Sequence, residues 1–139
     1  MFTKILLPVD LSDRHGRALE VAAQLAGRGG GSITLLHVIE VIAGASRDEE
    51  KGFYGRLEKA ARRHLDGLGQ VLAQRQATCQ KEIILGNRGP EILRYAGGKG
   101  VDLIVLTSPR LDPADPGAGL GSLSYKIGYL APCPVLLVR

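Results

Sequence analysis

The chain has 139 residues, 45% of them hydrophobic and 23% charged, an ordinary globular balance at a length that can bury a real core. It has no Trp and only 4% aromatic residues, so the core must be aliphatic, which argues against base stacking as a main activity. The 18 Lys and Arg against 14 Asp and Glu, net +4, are scattered and read as solvated helix faces rather than a nucleic-acid surface.

The first ten residues, M-F-T-K-I-L-L-P-V-D, lack the length and cleavage region of a signal peptide. No apolar run approaches the roughly 20 residues that span a membrane. Lys4 to Val9 reads as a strand buried on both faces, because its apolar run does not alternate. Ser12 and Asp13 are N-cap residue types, and Ala18, Val21, Ala22 and Leu25 recur at helical spacing after them. Gly27 and Gly29-Gly30-Gly31 stop that helix. Ser32 to Ile39 is the second strand.

Glu40 to Lys51 reads as a loop. From Phe53 a helical stripe runs through Leu57, Ala61, Leu65, Leu68 and Leu72, opposite Arg56, Lys59, Arg62 and Arg63. Cys79 to Leu85 is a third strand. Pro90 fits the first position of the next helix, where a missing N–H does no harm, with Ile92, Leu93 and Ala96 inward and Gly97-Gly98 at its end. Val101 to Leu106 and Val135 to Val138 are the last two strands. Between them Leu123, Ile127 and Leu130 define a short helix stopped by Pro132. Strands alternating with helices imply a parallel α/β sheet covered on both faces, with one domain expected over residues 1–139.

Ligands of open α/β sheets sit beyond the carboxyl ends of the strands, where the winding reverses. If the first and fourth strands flank that point, Pro8-Val9-Asp10 meets Thr107-Ser108 there. Asp10 reads equally as a ligand-facing carboxylate or as a turn carboxylate. His37, in an apolar strand, reads as a satisfied core imidazole. His15 and His64 show no companion Ser, Cys or carboxylate at a meaningful spacing. There is no G-x-S-x-G or H-E-x-x-H and no metal-ligand spacing. Cys79 and Cys133 form no CxxC and read as free thiols of a reducing cytoplasm.

P-V-D near the start, L-L-H-V-I, G-N-R-G-P-E-I-L, D-L-I-V-L and the final A-P-C-P-V-L-L-V-R together resemble a universal stress protein over essentially the whole chain. The resemblance implies a Rossmann-like α/β fold with strand order 3-2-1-4-5, a cytoplasmic homodimer paired through the last strand, and ATP or another adenine nucleotide as ligand. In ATP-binding members an Asp, a Val and a loop G-x2-G-x9-G-[S/T] hold the nucleotide. By position these fall on Asp10, Val38 and Gly121-Ser122. The two earlier glycines fall on Thr107 and Arg110, and the spacer is one residue longer. The implied crevice is therefore Pro8, Val9, Asp10, Val38, Leu106, Thr107, Arg110, Gly121, Ser122 and Leu123. Its phosphate loop is degenerate: Pro109, Pro113 and Pro116 remove backbone donors, and Asp112 and Asp115 add negative charge. Ser122 reads also as a plain N-cap and Arg110 as a surface charge.

Three functions fit these residues. One is a nucleotide-binding stress protein whose ligand orders the Ser108 to Leu120 loop. Another is a nucleotide-free dimeric interaction module of the same fold. The third is a slow ATP hydrolase, for which no general base or metal pair stands out.

Overall fold

A computed structural model of the protein describes residues 2–27, 30–41, 47–108, 114 and 122–139. In chain order the elements are β1 (Lys4–Pro8), α1 (Gly16–Ala26), β2 (Ser32–Glu40), α2 (Arg47–Gln74), β3 (Thr78–Gly86), α3 (Arg88–Gly98), β4 (Leu103–Thr107), α4 (Leu123–Leu130) and β5 (Val135–Val138). The five strands form one sheet in the order β3-β2-β1-β4-β5, and every pairing is parallel. Among the described residues no helix is long and apolar enough to cross a membrane.

Period-two alternation sorts the strand residues between two cores. Ile5, Leu7, Ile33, Leu35, Leu103 and Val105 face Leu19 and Ala22 of α1 and Leu65 and Leu72 of α2. Leu6, Leu36, Val38, Ile104 and Leu106 face Ile92 and Ala96 of α3 and Ile127 of α4. This double burial explains the uninterrupted apolar runs of β1, β2 and β4. His37 is buried, and its Nδ1–H donates to the Val9 carbonyl at 2.8 Å, the satisfied core imidazole that its setting implied. Gly31 is required by close approach: a Cβ there would lie 2.7 Å from the carbonyl oxygens of Ala26 and Phe2.

Several boundaries depart from the sequence reading, each for a local reason. Ser12 and Asp13 do not cap α1, which starts at Gly16 behind His15. Ser12 is drawn instead to the Asp10 carboxylate through its amide at 3.0 Å and its hydroxyl. The residues expected as a loop up to Lys51 are helical from Arg47 onward. Pro90 is the third helical residue, since α3 begins at Arg88 behind Asn87. That position tolerates Pro as well, because the first four helical amides lack intrahelical partners. Gly97 and Gly98 lie within the last turn, and Lys99 is the C-cap. Asp102 stands before β4 and ties it to β1, accepting from the Thr3 and Lys4 amides at 2.9 and 3.0 Å.

Candidate functional site

The winding reverses between β1 and β4, which are neighbours in the sheet. Beyond their carboxyl ends lies a crevice of about 140 Å³, the place where open α/β sheets hold ligands. Leu36 and Val38 of β2, Ile92 of α3 and Leu106 of β4 give it an apolar floor, with Leu123 of α4 beside them. Pro8, Val9 and Asp10 form one wall, and Thr107 and Ser122 another. Eight of the ten residues expected in the crevice thus come together; Arg110 and Gly121, like the prolines between them, lie outside the described residues.

Asp10 organises the wall after β1. Its Oδ1 accepts from the Ser12 amide at 3.0 Å and from the Ser12 hydroxyl, and stands 2.7 Å from Nε2 of His15. Its Oδ2 accepts from Arg14 at 3.0 Å. Partial burial works against the charged form, but the hydrogen bonds from Ser12 and His15 and the nearby imidazole outweigh it and hold the carboxyl well below the usual carboxylate range. Asp10 is thus a turn carboxylate, and its side chain is also 32% exposed toward the crevice.

His15 was read in the sequence as having no companion, and the structure corrects this. It is 3% exposed, with Nε2 on Asp10 and Nδ1 2.7 Å from Oγ1 of Thr107. A carboxylate only accepts, so in the neutral ring Nε2 carries the proton and Nδ1 accepts the Thr107 hydroxyl. The imidazole joins the loop after β1 to the end of β4. The local signal was present: three polar residues, Asp10, Ser12 and His15, close behind a strand. The partner Thr107 is visible only once β1 and β4 are adjacent.

The sequence reading also passed over Arg14 and Arg88, which line the crevice and make it cationic. Arg14 is held by Asp10 and by Ser12 Oγ at 3.2 Å. Arg88, opening α3, faces Glu40 at 3.7 Å. Ser122 is the N-cap of α4, its hydroxyl accepting from the Tyr125 amide at 3.2 Å. Burial pushes the thiols of Cys79 and Cys133 up, which withholds the thiolate that a nucleophile needs. Both are free cysteines.

An open parallel sheet of this order, with helices on both faces and a crevice at its switch point, defines a Rossmann-like α/β fold. The sequence model of the Universal stress protein family matches residues 1–139. Universal stress protein YxiE of Bacillus subtilis is 32% identical, with both chains covered completely. A universal stress protein of Thermus aquaticus is 33% identical, again over all of both chains. The structure of universal stress protein UspA from Lactobacillus plantarum superposes with a TM-score of 0.79 at 29% identity, covering 99% of this chain and 98% of that one. A universal stress protein family structure from Arabidopsis thaliana with AMP bound has a TM-score of 0.71 at 22% identity, covering 98% and 90%. The chain belongs to the universal stress protein family.

Proposed function

We propose that this universal stress protein is a single-domain, cytoplasmic protein that binds an adenine nucleotide in the crevice between β1 and β4. The observation that carries the reading is the convergence of Asp10, Val38, Thr107 and Ser122 on one partly apolar, partly cationic cleft. The apolar floor suits a purine ring, and the N-terminus of α4 and two arginines suit phosphate. The related Arabidopsis protein was solved with AMP, which adds support. Mass spectrometry of nucleotide co-purified with the protein, followed by calorimetric titration with AMP, ADP and ATP, tests it. Saturable binding supports the reading; no binding at millimolar ligand ends it.

The protein acts as a homodimer paired through β5. That strand is a sheet edge, and its Leu136 and Leu137 are 37% and 48% exposed. Exposed apolar edges invite pairing. Tyr129 and Leu130, at the end of the preceding α4, extend the apolar surface.

A second reading, a nucleotide-free interaction module, draws on a different observation. The Asp10 carboxylate already accepts from Ser12, His15 and Arg14, and the phosphate loop is degenerate in sequence. In this reading the dimer surface carries the function. The same titrations separate the two.

A further inference from the structure

We propose that Arg14 and Arg88 form a two-guanidinium clamp that takes the phosphate of a nucleoside monophosphate in the crevice, in place of a glycine-rich phosphate loop. The proposal rests on the adenine-nucleotide reading above and names the ligand class of that site.

Both arginines line the crevice, one from the loop after β1 and one from the first residue of α3. Arg14 is held before any ligand arrives. Its Nε donates to Ser12 Oγ at 3.2 Å and one terminal nitrogen donates to Asp10 Oδ2 at 3.0 Å. A guanidinium carries five N–H donors, so three remain for an anion among the described contacts. Asp10 is in turn held by Ser12 and His15, while the Arg14 side chain is half exposed. Its two hydrogen bonds reduce the side-chain freedom left to lose on binding an anion.

Arg88 is less committed. Its Nε is 3.7 Å from Glu40, outside hydrogen-bond distance, and both side chains are about half exposed, so solvent screens the pair. It also opens an eleven-residue helix whose N-cap, Asn87, makes no side-chain cap. The positive end of that helix adds to its own charge. Among the described residues lining the crevice, the charged ones are two arginines and Asp10, an excess of one positive charge. Two guanidinium groups suit one phosphate through paired, charge-assisted hydrogen bonds. A triphosphate needs further donors, and Pro109, Pro113 and Pro116 lower their number in the loop that would supply them.

The test is calorimetric titration of the full-length protein with adenosine, AMP and ATP at one low salt concentration, for the wild type, Arg14→Ala, Arg88→Ala and the double variant. Thermal melts confirm that each variant is folded. The wild type is expected to bind AMP about tenfold or more tighter than adenosine, the scale of charge-assisted hydrogen bonds, and to bind ATP no tighter than AMP. Each single variant should reduce the AMP-to-adenosine ratio several-fold, and the double variant should bring it close to one. Arg88→Lys should recover part of the ratio. An unchanged ratio in both single variants overturns the clamp and leaves the nucleotide reading standing. Failure of both adenosine and AMP to bind ends both. ATP binding much tighter than AMP overturns the monophosphate assignment.

Discussion

The hydroxyl of Thr107 lies 2.7 Å from Nδ1 of His15, a residue 92 positions earlier in the chain. The other ring nitrogen of His15 stands on Asp10. One buried imidazole therefore binds the carboxyl ends of β1 and β4 together where a ligand would enter. The wall of the crevice owes its shape to this bridge as much as to the sheet.

Replacing His15 by Ala should leave the Thr107 hydroxyl and Oδ1 of Asp10 short of a partner and open a small void beside α1. A loss of about 2–4 kcal/mol in unfolding free energy is expected from the lost charge-assisted bond and the vacated volume. Thr107→Val keeps the shape and removes one hydrogen bond, so its cost should be about 1 kcal/mol. Urea denaturation of the two variants checks the order; equal costs would contradict the bridge.

Acid should weaken the protein partly through Asp10. Its carboxyl is depressed in the folded state relative to the unfolded chain, so the unfolded state binds more protons as the pH falls. The stabilising contribution is fully present above the unfolded value near 3.8 and is lost as the pH drops through the folded one. Urea midpoints between about pH 5 and pH 2 should fall less steeply for Asp10→Asn than for the wild type, the window lying around and below ordinary carboxylate values. Asp102, whose shift is in the same direction despite some burial because the Thr3 and Lys4 amides donate to it, should leave a residual slope. Parallel curves for the two proteins would refute the role given to Asp10.

Ile127 is fully buried and anchors α4 on the sheet. Ile127→Ala should cost about 2–5 kcal/mol and loosen the helix whose first turn lines the crevice. Ser122→Ala should cost about 1 kcal/mol through the lost cap. Chemical denaturation reads both, and a smaller loss for Ile127→Ala than for Ser122→Ala would contradict this account of α4.

The edge strand β5 offers a separate check. Leu137→Glu places a charge on the proposed dimer face, and Leu137→Pro removes a donor from the open edge, because the Pro134 and Val138 carbonyls accept from β4 and the Leu137 amide faces the other way. Each should shift the protein to monomer in sedimentation velocity runs. A dimer that survives both has another interface.

The strands were legible because double burial writes itself as apolar runs: Ile5-Leu6-Leu7 and Leu103 to Leu106 need no alternation to be recognised. Helix starts were less legible. Asp10 recruits Ser12 into a turn, which moves the start of α1 to Gly16, and no local propensity states that choice. The pairing of His15 with Thr107 depends on β1 and β4 lying side by side, a tertiary fact. Leu130 continued the periodic stripe of α4 yet is 61% exposed, because periodicity marks an apolar face without naming what covers it. Arg14 and Arg88 looked like any surface charges until the fold placed both at one crevice.

The central claim is that the crevice between β1 and β4 takes an adenine nucleotide. The most direct test is an amide NMR titration of the isotopically labelled protein with AMP. Saturable shifts concentrated at Val9, Asp10, Val38, Thr107 and Leu123 are predicted. No shifts at millimolar AMP, or shifts confined to other faces of the sheet, would contradict it.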